Sequence, residues 1–401
     1  MALRPLIRLW SLESYGFEVR YALMEPFVLE SLAVENYRSF AVLQLELRPI
    51  NVLIGGNGSG KSNLIRVFEL CQHLMDESLQ LYVARNGGPD QILHYGRKRS
   101  PHLRIHLRFR RRDLDTANEF ECVLIPAEHQ LLIAQEHVDY QFIPHYEHPY
   151  WKTLCCPERS PASESRIPKL ALEKPNSIEA WVHRALRSWR IYHFHDTTPG
   201  ARAKQLGLIS DNLFLQSDAG NLAAFLFRLR EQYPWHYRRI VETIRQVAPF
   251  FGDFVLRPYP LDSTRIALEW QERGSELLFS ANSLSDGTLR FICLATLFLQ
   301  PRELMPAMLI LDEPELGLHP AAIQLLADMV ENVVAEDRQV ILATQSVTLV
   351  NQFEPEDIVV VEREYDCSTV RRCDYQSLEH WLQDYSLGEL WEKNVIGGRP
   401  R

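Results

Sequence analysis

The string Gly55-Gly56-Asn57-Gly58-Ser59-Gly60-Lys61-Ser62 restricts the fold of this 401-residue chain more than any other feature. It matches GxxxxGK followed by Ser or Thr at every fixed position. An apolar run, Ile50 to Ile54, precedes it, and Leu64, Val67, Phe68, Cys71 and Leu74 follow at helical spacing. Strand, glycine loop and helix in that order form a phosphate cradle. The glycines let the backbone curl until successive N–H groups point at phosphate oxygens, with the positive end of the next helix behind them. The pattern predicts an α/β P-loop NTPase in which Gly55 to Ser62 and the adjoining Asn63 surround a nucleotide. Lys61 is expected to reach the β- and γ-phosphates and Ser62 to bind Mg2+.

A second site element lies far along the chain. Met308-Leu309-Ile310-Leu311-Asp312-Glu313-Pro314 is an apolar strand ending in two carboxylates, which is costly unless a cation meets them. Asp312 is the expected magnesium partner and Glu313 the general base for an attacking water. Leu284-Ser285-Asp286-Gly287-Thr288 precedes a helical pattern. Read from the residues alone, its Ser and Asp also suit a helix cap.

Between these elements the periodicity changes. Phe27 to Glu35 and Val42 to Leu47 alternate as strands, and three segments from His102 to Val138 read as an antiparallel extension of the sheet. Six prolines between Pro144 and Pro175 mark a long loop on which no element is expected. Helical patterns cover Ile178 to Trp189, Asn221 to Arg230 and Trp235 to Val247. Strands return at Phe254 to Leu256 and Arg265 to Trp270, then alternate with helices to Glu362. The expected organisation is an extension at 1–26, a core half at 27–138, an inserted loop and helical subdomain at 139–250, and a second core half at 251–401. No segment sustains the apolar heptads of a long coiled-coil arm.

The set LSDGT, LILDEP, Glu315-Leu316-Gly317-Leu318-His319-Pro320 and Ala343-Thr344-Gln345-Ser346 resembles the signature, Walker B, D-loop and switch motifs of ABC-type ATPases. Asn36-Tyr37-Arg38-Ser39-Phe40 is similar to the opening strand of RecF and SMC heads. The chain resembles a bacterial family of predicted ATPases of the RecF/OLD type without a TOPRIM domain. That family shares Tyr192-His193-Phe194-His195-Asp196-Thr197, Gly220-Asn221-Leu222, Tyr385-Ser386-Leu387-Gly388-Glu389-Leu390-Trp391 and Gly397-Gly398-Arg399-Pro400. The resemblance implies an ABC-type head with ATP and Mg2+ as cofactors and Arg38 near the nucleotide. It further implies that Ser285, Asp286 and Gly287 meet the γ-phosphate of ATP held by a second subunit. Gln345 stands where histidine is usual; it can hydrogen-bond or orient water but carries no positive charge. Gln91 is either the magnesium-contacting glutamine of such enzymes or a surface residue in a turn.

The expected function is an ATP-hydrolysing homodimer that acts as a switch on DNA or an effector protein, in repair or phage defence by analogy. The alternative is a slow ATP sensor regulating a separate effector. A formal net charge of −9 argues against a uniformly basic coat, but Arg108, Arg110, Arg111 and Arg112 form a local knot that suits a solvated turn or nucleic-acid contact. Seven scattered cysteines, including Cys155-Cys156, fit reduced thiols and a cytoplasmic protein. No membrane span or signal peptide is expected. His193 and His195 with Asp196 suit packing and hydrogen bonding better than a metal site. About forty residues follow Glu362, too few for an appended nuclease domain of typical size.

Overall fold

The computed structural model describes residues 28–111, 116–142, 150–153 and 161–399. The expected extension at 1–26, Arg112, the Arg111 side chain and Cys155-Cys156 lie outside the described residues and side chains.

The chain opens with β1 (Val28–Tyr37), β2 (Phe40–Glu46) and β3 (Ile50–Ile54), then passes through the glycine loop into α1 (Lys61–Met75). The antiparallel strands β4 (Leu103–Arg111), β5 (Thr116–Ala127), β6 (Gln130–Phe142) and β7 (Tyr150–Thr153) follow. Next come α2 (Ile178–Arg187), β8 (Trp189–Tyr192), α3 (Leu222–Gln232) and α4 (Pro234–Val247). The last third holds α5 (Asp286–Leu299), β9 (Met308–Asp312), α6 (Pro320–Ala335), β10 (Gln339–Thr344) and α7 (Val347–Val350). It closes with β11 (Ile358–Glu364), β12 (Cys367–Arg372) and α8 (Leu387–Glu392).

Two six-stranded sheets result, ordered β2-β1-β4-β5-β6-β7 and β12-β11-β3-β10-β9-β8. The second is parallel except for β12. Its strands are covered on both faces, which is why β3 has no exposed residue and is apolar except for the buried Asn51, whose side chain hydrogen-bonds the Arg48 backbone. Val52 and Ile54 face a cluster with α5 and α6, while Leu53 faces a cluster with α1 and the antiparallel sheet. All five residues of the expected α1 stripe are fully buried in that second cluster.

Three expectations are corrected. The helix from Ile178 stops at Arg187, and Trp189 begins β8, which pairs in parallel with β9 in the central sheet. Trp189 is fully buried, its ring 5.3 Å from that of Phe68, and its carbonyl accepts from Gln72 Nε2 at 2.9 Å. Residues 139–250 therefore contain a core strand as well as inserted helices. Arg265 to Trp270 divides between two small sheets, with Asp262–Ile266 in one and Glu269–Glu272 in the other. The proline-rich stretch carries β7 and a helix at Ile167–Glu173. The free edge of β6 recruits it: Ile133 and Ala162 exchange backbone hydrogen bonds at 2.7 and 3.0 Å. Pro168 lies in the first turn of the helix, where its missing N–H costs nothing.

The longest helix among the described residues is the 16-residue α6, so no coiled-coil arm leaves them. No helix among them is long and apolar enough to cross a membrane.

Candidate nucleotide site

Strand register gathers the motifs. Thr344 pairs with Ile54, Ala343 with Asp312, and Tyr192 with Leu311, so the loops after β3, β10, β9 and β8 emerge side by side at the carboxyl edge of one parallel sheet. In open α/β sheets this edge is where ligands bind.

The glycine loop can be built only of glycine at two points. Gly55 and Gly60 have φ of 154° and 122°. A Cβ on Gly55 would lie 2.2 Å from Val361 O, and one on Gly60 would lie 2.5 Å from Ser368 Oγ. Lys61 is buried inside the loop, its Nζ donating to the carbonyls of Gly55 at 2.5 Å and Gly56 at 3.2 Å. Burial lowers its pKa, against the opposing pull of Glu313, Asp312 and Glu315. Ser59 Oγ is buried in the same loop without a hydrogen-bond partner. Asn57, Gly58 and Ser62 line the exposed mouth.

Three carboxylates face this cation. Asp312 Oδ2 accepts from Ser62 Oγ at 3.3 Å, and a hydroxyl beside a carboxylate is a hard-oxygen pair suited to Mg2+. Glu313 has φ of 44°, a left-handed conformation that costs a non-glycine residue on the order of 1 kcal/mol or more. A hydrogen bond from its N–H to Ala343 O at 2.7 Å holds it there. Its Oε1 accepts from Gln345 Nε2, so the expected base and the expected switch residue are in direct contact. Glu315, which the sequence reading gave no role, is buried beneath them. Its Oε1 accepts from Thr344 Oγ1 at 2.5 Å and from Gln345 N at 3.3 Å. Burial raises its pKa. It anchors the backbone that carries Gln345.

A family described as “AAA domain, putative AbiEii toxin, Type IV TA system” matches residues 50–351, more than half of the chain. The chain belongs to that AAA-domain family. No curated protein matches it. Among solved structures, the Smc head bound to the C-winged helix domain of ScpA is similar over 87% of this chain and 98% of its own, with 16% identity and a TM-score of 0.58. The Smc head domain of Pyrococcus furiosus with an extended coiled coil, bound to the C-terminal domain of ScpA, covers 89% and 99%, with 13% identity and a TM-score of 0.53. At such identities the likeness is one of fold: a P-loop NTPase fold like that of an SMC head.

In this AAA domain the signature string is a helix cap within its own chain. Ser285 Oγ accepts from Thr288 N at 3.2 Å and pairs with Thr288 Oγ1 at 2.8 Å. Among the described residues its hydrogen bonds do not reach the P-loop. Ser285 and Asp286 are exposed, and Gly287 is pressed against the D-loop, where a Cβ would lie 2.4 Å from Gly317 O.

Arg290, one helical turn on, is a residue that sequence reading missed. Its guanidinium donates to Leu316 O at 2.9 Å, Phe194 O at 3.1 Å and His195 O at 3.0 Å. Each such charged hydrogen bond is worth about 1.5–3 kcal/mol. They tie the signature helix to the D-loop and to the end of β8. His195 Nε2 in turn donates to Asp312 O at 2.9 Å. The imidazole is thus a donor to a backbone carbonyl. Burial lowers the pKa of His193.

The hairpin between β1 and β2 meets the P-loop through Ser39. Its Oγ accepts from Asn63 Nδ2 at 2.9 Å, and its carbonyl accepts from Ser368 N at 2.6 Å, while Ser368 Oγ donates to Ser59 O at 2.5 Å. Arg38 itself turns toward Tyr37 Oη and Asn86 Oδ1. Gln91 is exposed on a four-residue helix, as the surface reading expects.

As far as it is described, the arginine knot is strand, not turn. Arg108 and Arg110 stand on β4, flanked by acids of β1 and β5. Arg108 pairs with Glu30 and Glu119, both at 2.8 Å, and Arg110 with Glu30 at 3.6 Å. Cross-strand compensation of this kind removes much of the local positive field that a phosphate backbone would seek.

Proposed function

We propose that this AAA domain binds ATP with Mg2+, hydrolyses it between two copies of the chain, and uses the cycle as a switch on a partner. The observation that carries the reading is the convergence of Lys61, Ser62, Asp312, Glu313 and Gln345 on one sheet edge, with Ser62 touching Asp312 and Gln345 touching Glu313. Gly55 to Gly60 offer backbone N–H groups to the phosphates, and Lys61 supplies a buried cation opposite the β- and γ-groups. Ser62 and Asp312 would hold Mg2+, which when bound neutralises charge on the phosphate oxygens. Glu313 accepts the proton of the attacking water, and the Gln345 amide fixes the carboxylate that does so. Ser285, Asp286 and Gly287, at the N-terminus of the 14-residue α5, are assigned to the γ-phosphate of the second copy.

One observation favours a second reading, a slow ATP sensor that holds or releases an effector. Gln345 spends its amide on the base and brings no positive charge to the γ-phosphate. The similar Smc heads are bound to domains of ScpA, and the family description names a toxin system. By analogy we infer an effector protein or DNA as what the switch acts on, in repair or defence. A cytoplasmic setting suits Cys71, Cys122, Cys293, Cys367 and Cys373, which carry thiols and not disulfides.

Mixing two inactive variants tests the shared site. Lys61→Ala damages the cradle and Ser285→Arg the signature, so in a mixed dimer one site takes both lesions and the other neither. Random pairing makes about half the dimers mixed, each with one of two sites intact, so phosphate release should return to about a quarter of the wild-type rate. A null mixture with verified subunit exchange contradicts independent shared sites.

A further inference from the structure

The last described stretch, Ser386 to Arg399, packs against the surroundings of the nucleotide site at two places, each time through a glycine. At the first, α8 is seated on α7, the short turn that begins two residues after Gln345. Gly388 N donates to Asn351 Oδ1 at 2.6 Å, and a Cβ on Gly388 would lie 2.4 Å from Val347 Cγ1 and 3.0 Å from Val347 O. A capping box of Ser386 and Glu389 fixes the start of α8. Ser346 caps α7, accepting from Leu349 N at 3.2 Å. Gln345 therefore precedes a turn clamped by the C-terminal segment.

The chain then doubles back through Asn394, Gly397 and Gly398, with φ of 60°, 78° and 78°. Trp391 and Ile396 are buried in the cluster that also holds Val360 and Ile54, and Arg371 donates to Ile396 O at 2.8 Å. At the second contact Gly398 N donates to Glu362 Oε1 at 2.7 Å. A Cβ on Gly398 would lie 3.0 Å from Val360 Cγ1 and 3.5 Å from Gly55 Cα, the first residue of the phosphate loop. A side chain here would be strained by the backbone and would crowd Val360 and Trp391, while its Cβ would meet the start of that loop in ordinary van der Waals contact.

We propose that Ser386 to Gly398 is a positioning strap for the ATP site: Gly388 with Asn351 fixes the turn behind Gln345, and Gly398 with Glu362 fixes the start of the phosphate loop. The strap rests on the ATP site proposed above. It acts through other residues, so its two ends should affect different steps: the Gly398 end governs nucleotide affinity, and the Gly388 end governs the chemical step.

The test uses the full chain and leaves both glycines in place. Glu362→Ala removes the acceptor for Gly398 N–H, while Glu362→Gln keeps a carbonyl oxygen there. Asn351→Ala and Asn351→Asp do the same for Gly388. Leaving such a donor unpaired suggests effects of about tenfold. Glu362→Ala should weaken ATP binding by about that factor with the single-turnover rate at saturation near wild type, and Glu362→Gln should restore affinity. Asn351→Ala should slow single turnover about tenfold with affinity unchanged, and Asn351→Asp should restore the rate. Variants that shift only the melting temperature, or that change affinity and rate together without rescue, overturn the strap. A wild-type chain that binds no ATP removes the functional reading instead, and the strap with it.

Discussion

Calorimetry on Lys61→Ala is expected to show no ATP binding at concentrations that saturate the wild-type chain. Lys61 Nζ lies within the loop, held by the carbonyls of Gly55 and Gly56, and Asp312, Glu313 and Glu315 all act on its charge. Removing the cation takes the Lys61 donor from both carbonyls, leaving Gly56 O only the Ser59 N–H, and sets the triphosphate against three carboxylates. A lost charged hydrogen bond alone is worth about 1.5–3 kcal/mol, and the added repulsion takes the expected loss to about a hundredfold or more. The apolar stripe of α1 is untouched, so the melting temperature in the absence of nucleotide serves as the folding control. Unchanged affinity in a folded variant would move the phosphate site elsewhere.

Glu313→Gln should keep ATP affinity and lose hydrolysis. The amide preserves the shape of the side chain and can still accept from Gln345 through its oxygen, so the left-handed backbone at this position stays occupied as before. What disappears is basicity at the water, a loss of about 10²–10⁴-fold in the chemical step. Pre-steady-state quench should show bound ATP that is not turned over, and sizing with ATP should show an accumulated dimer. Hydrolysis at the parent rate would remove Glu313 as the base; neutral Gln345 could not replace it as a proton acceptor.

The parts of the site carried by neighbouring residues were legible in the sequence. Gly55 to Ser62 needs only local spacing to declare a loop between strand and helix, and Asp312-Glu313 needs only an apolar strand before it. Register then brings the two together, because buried strands covered on both faces can pair in few ways. What the sequence hid were residues whose meaning is tertiary. Arg290 looks like an ordinary helix surface arginine until the carbonyls of Phe194, His195 and Leu316 are gathered around it. Glu315 reads as one more acid in a turn, yet it is buried under Thr344 and Gln345. The four-residue β8 was absorbed into the preceding helix because Trp189 continues that helix's apolar spacing; pairing with β9 decides otherwise. The arginines of β4 suggested a basic patch because Glu30 and Glu119, which compensate them, are distant in sequence or on the next strand.

The most direct test of the account is phosphate release by the wild-type chain with ATP, measured with Mg2+ and again after chelation, across a range of protein concentrations. The account predicts release that requires Mg2+, because Ser62 and Asp312 are assigned to the ion. It also predicts specific activity that rises with protein concentration, because Ser285 of a second copy is assigned to complete each site. Release that persists after chelation, or specific activity independent of concentration in a demonstrated monomer, would contradict it.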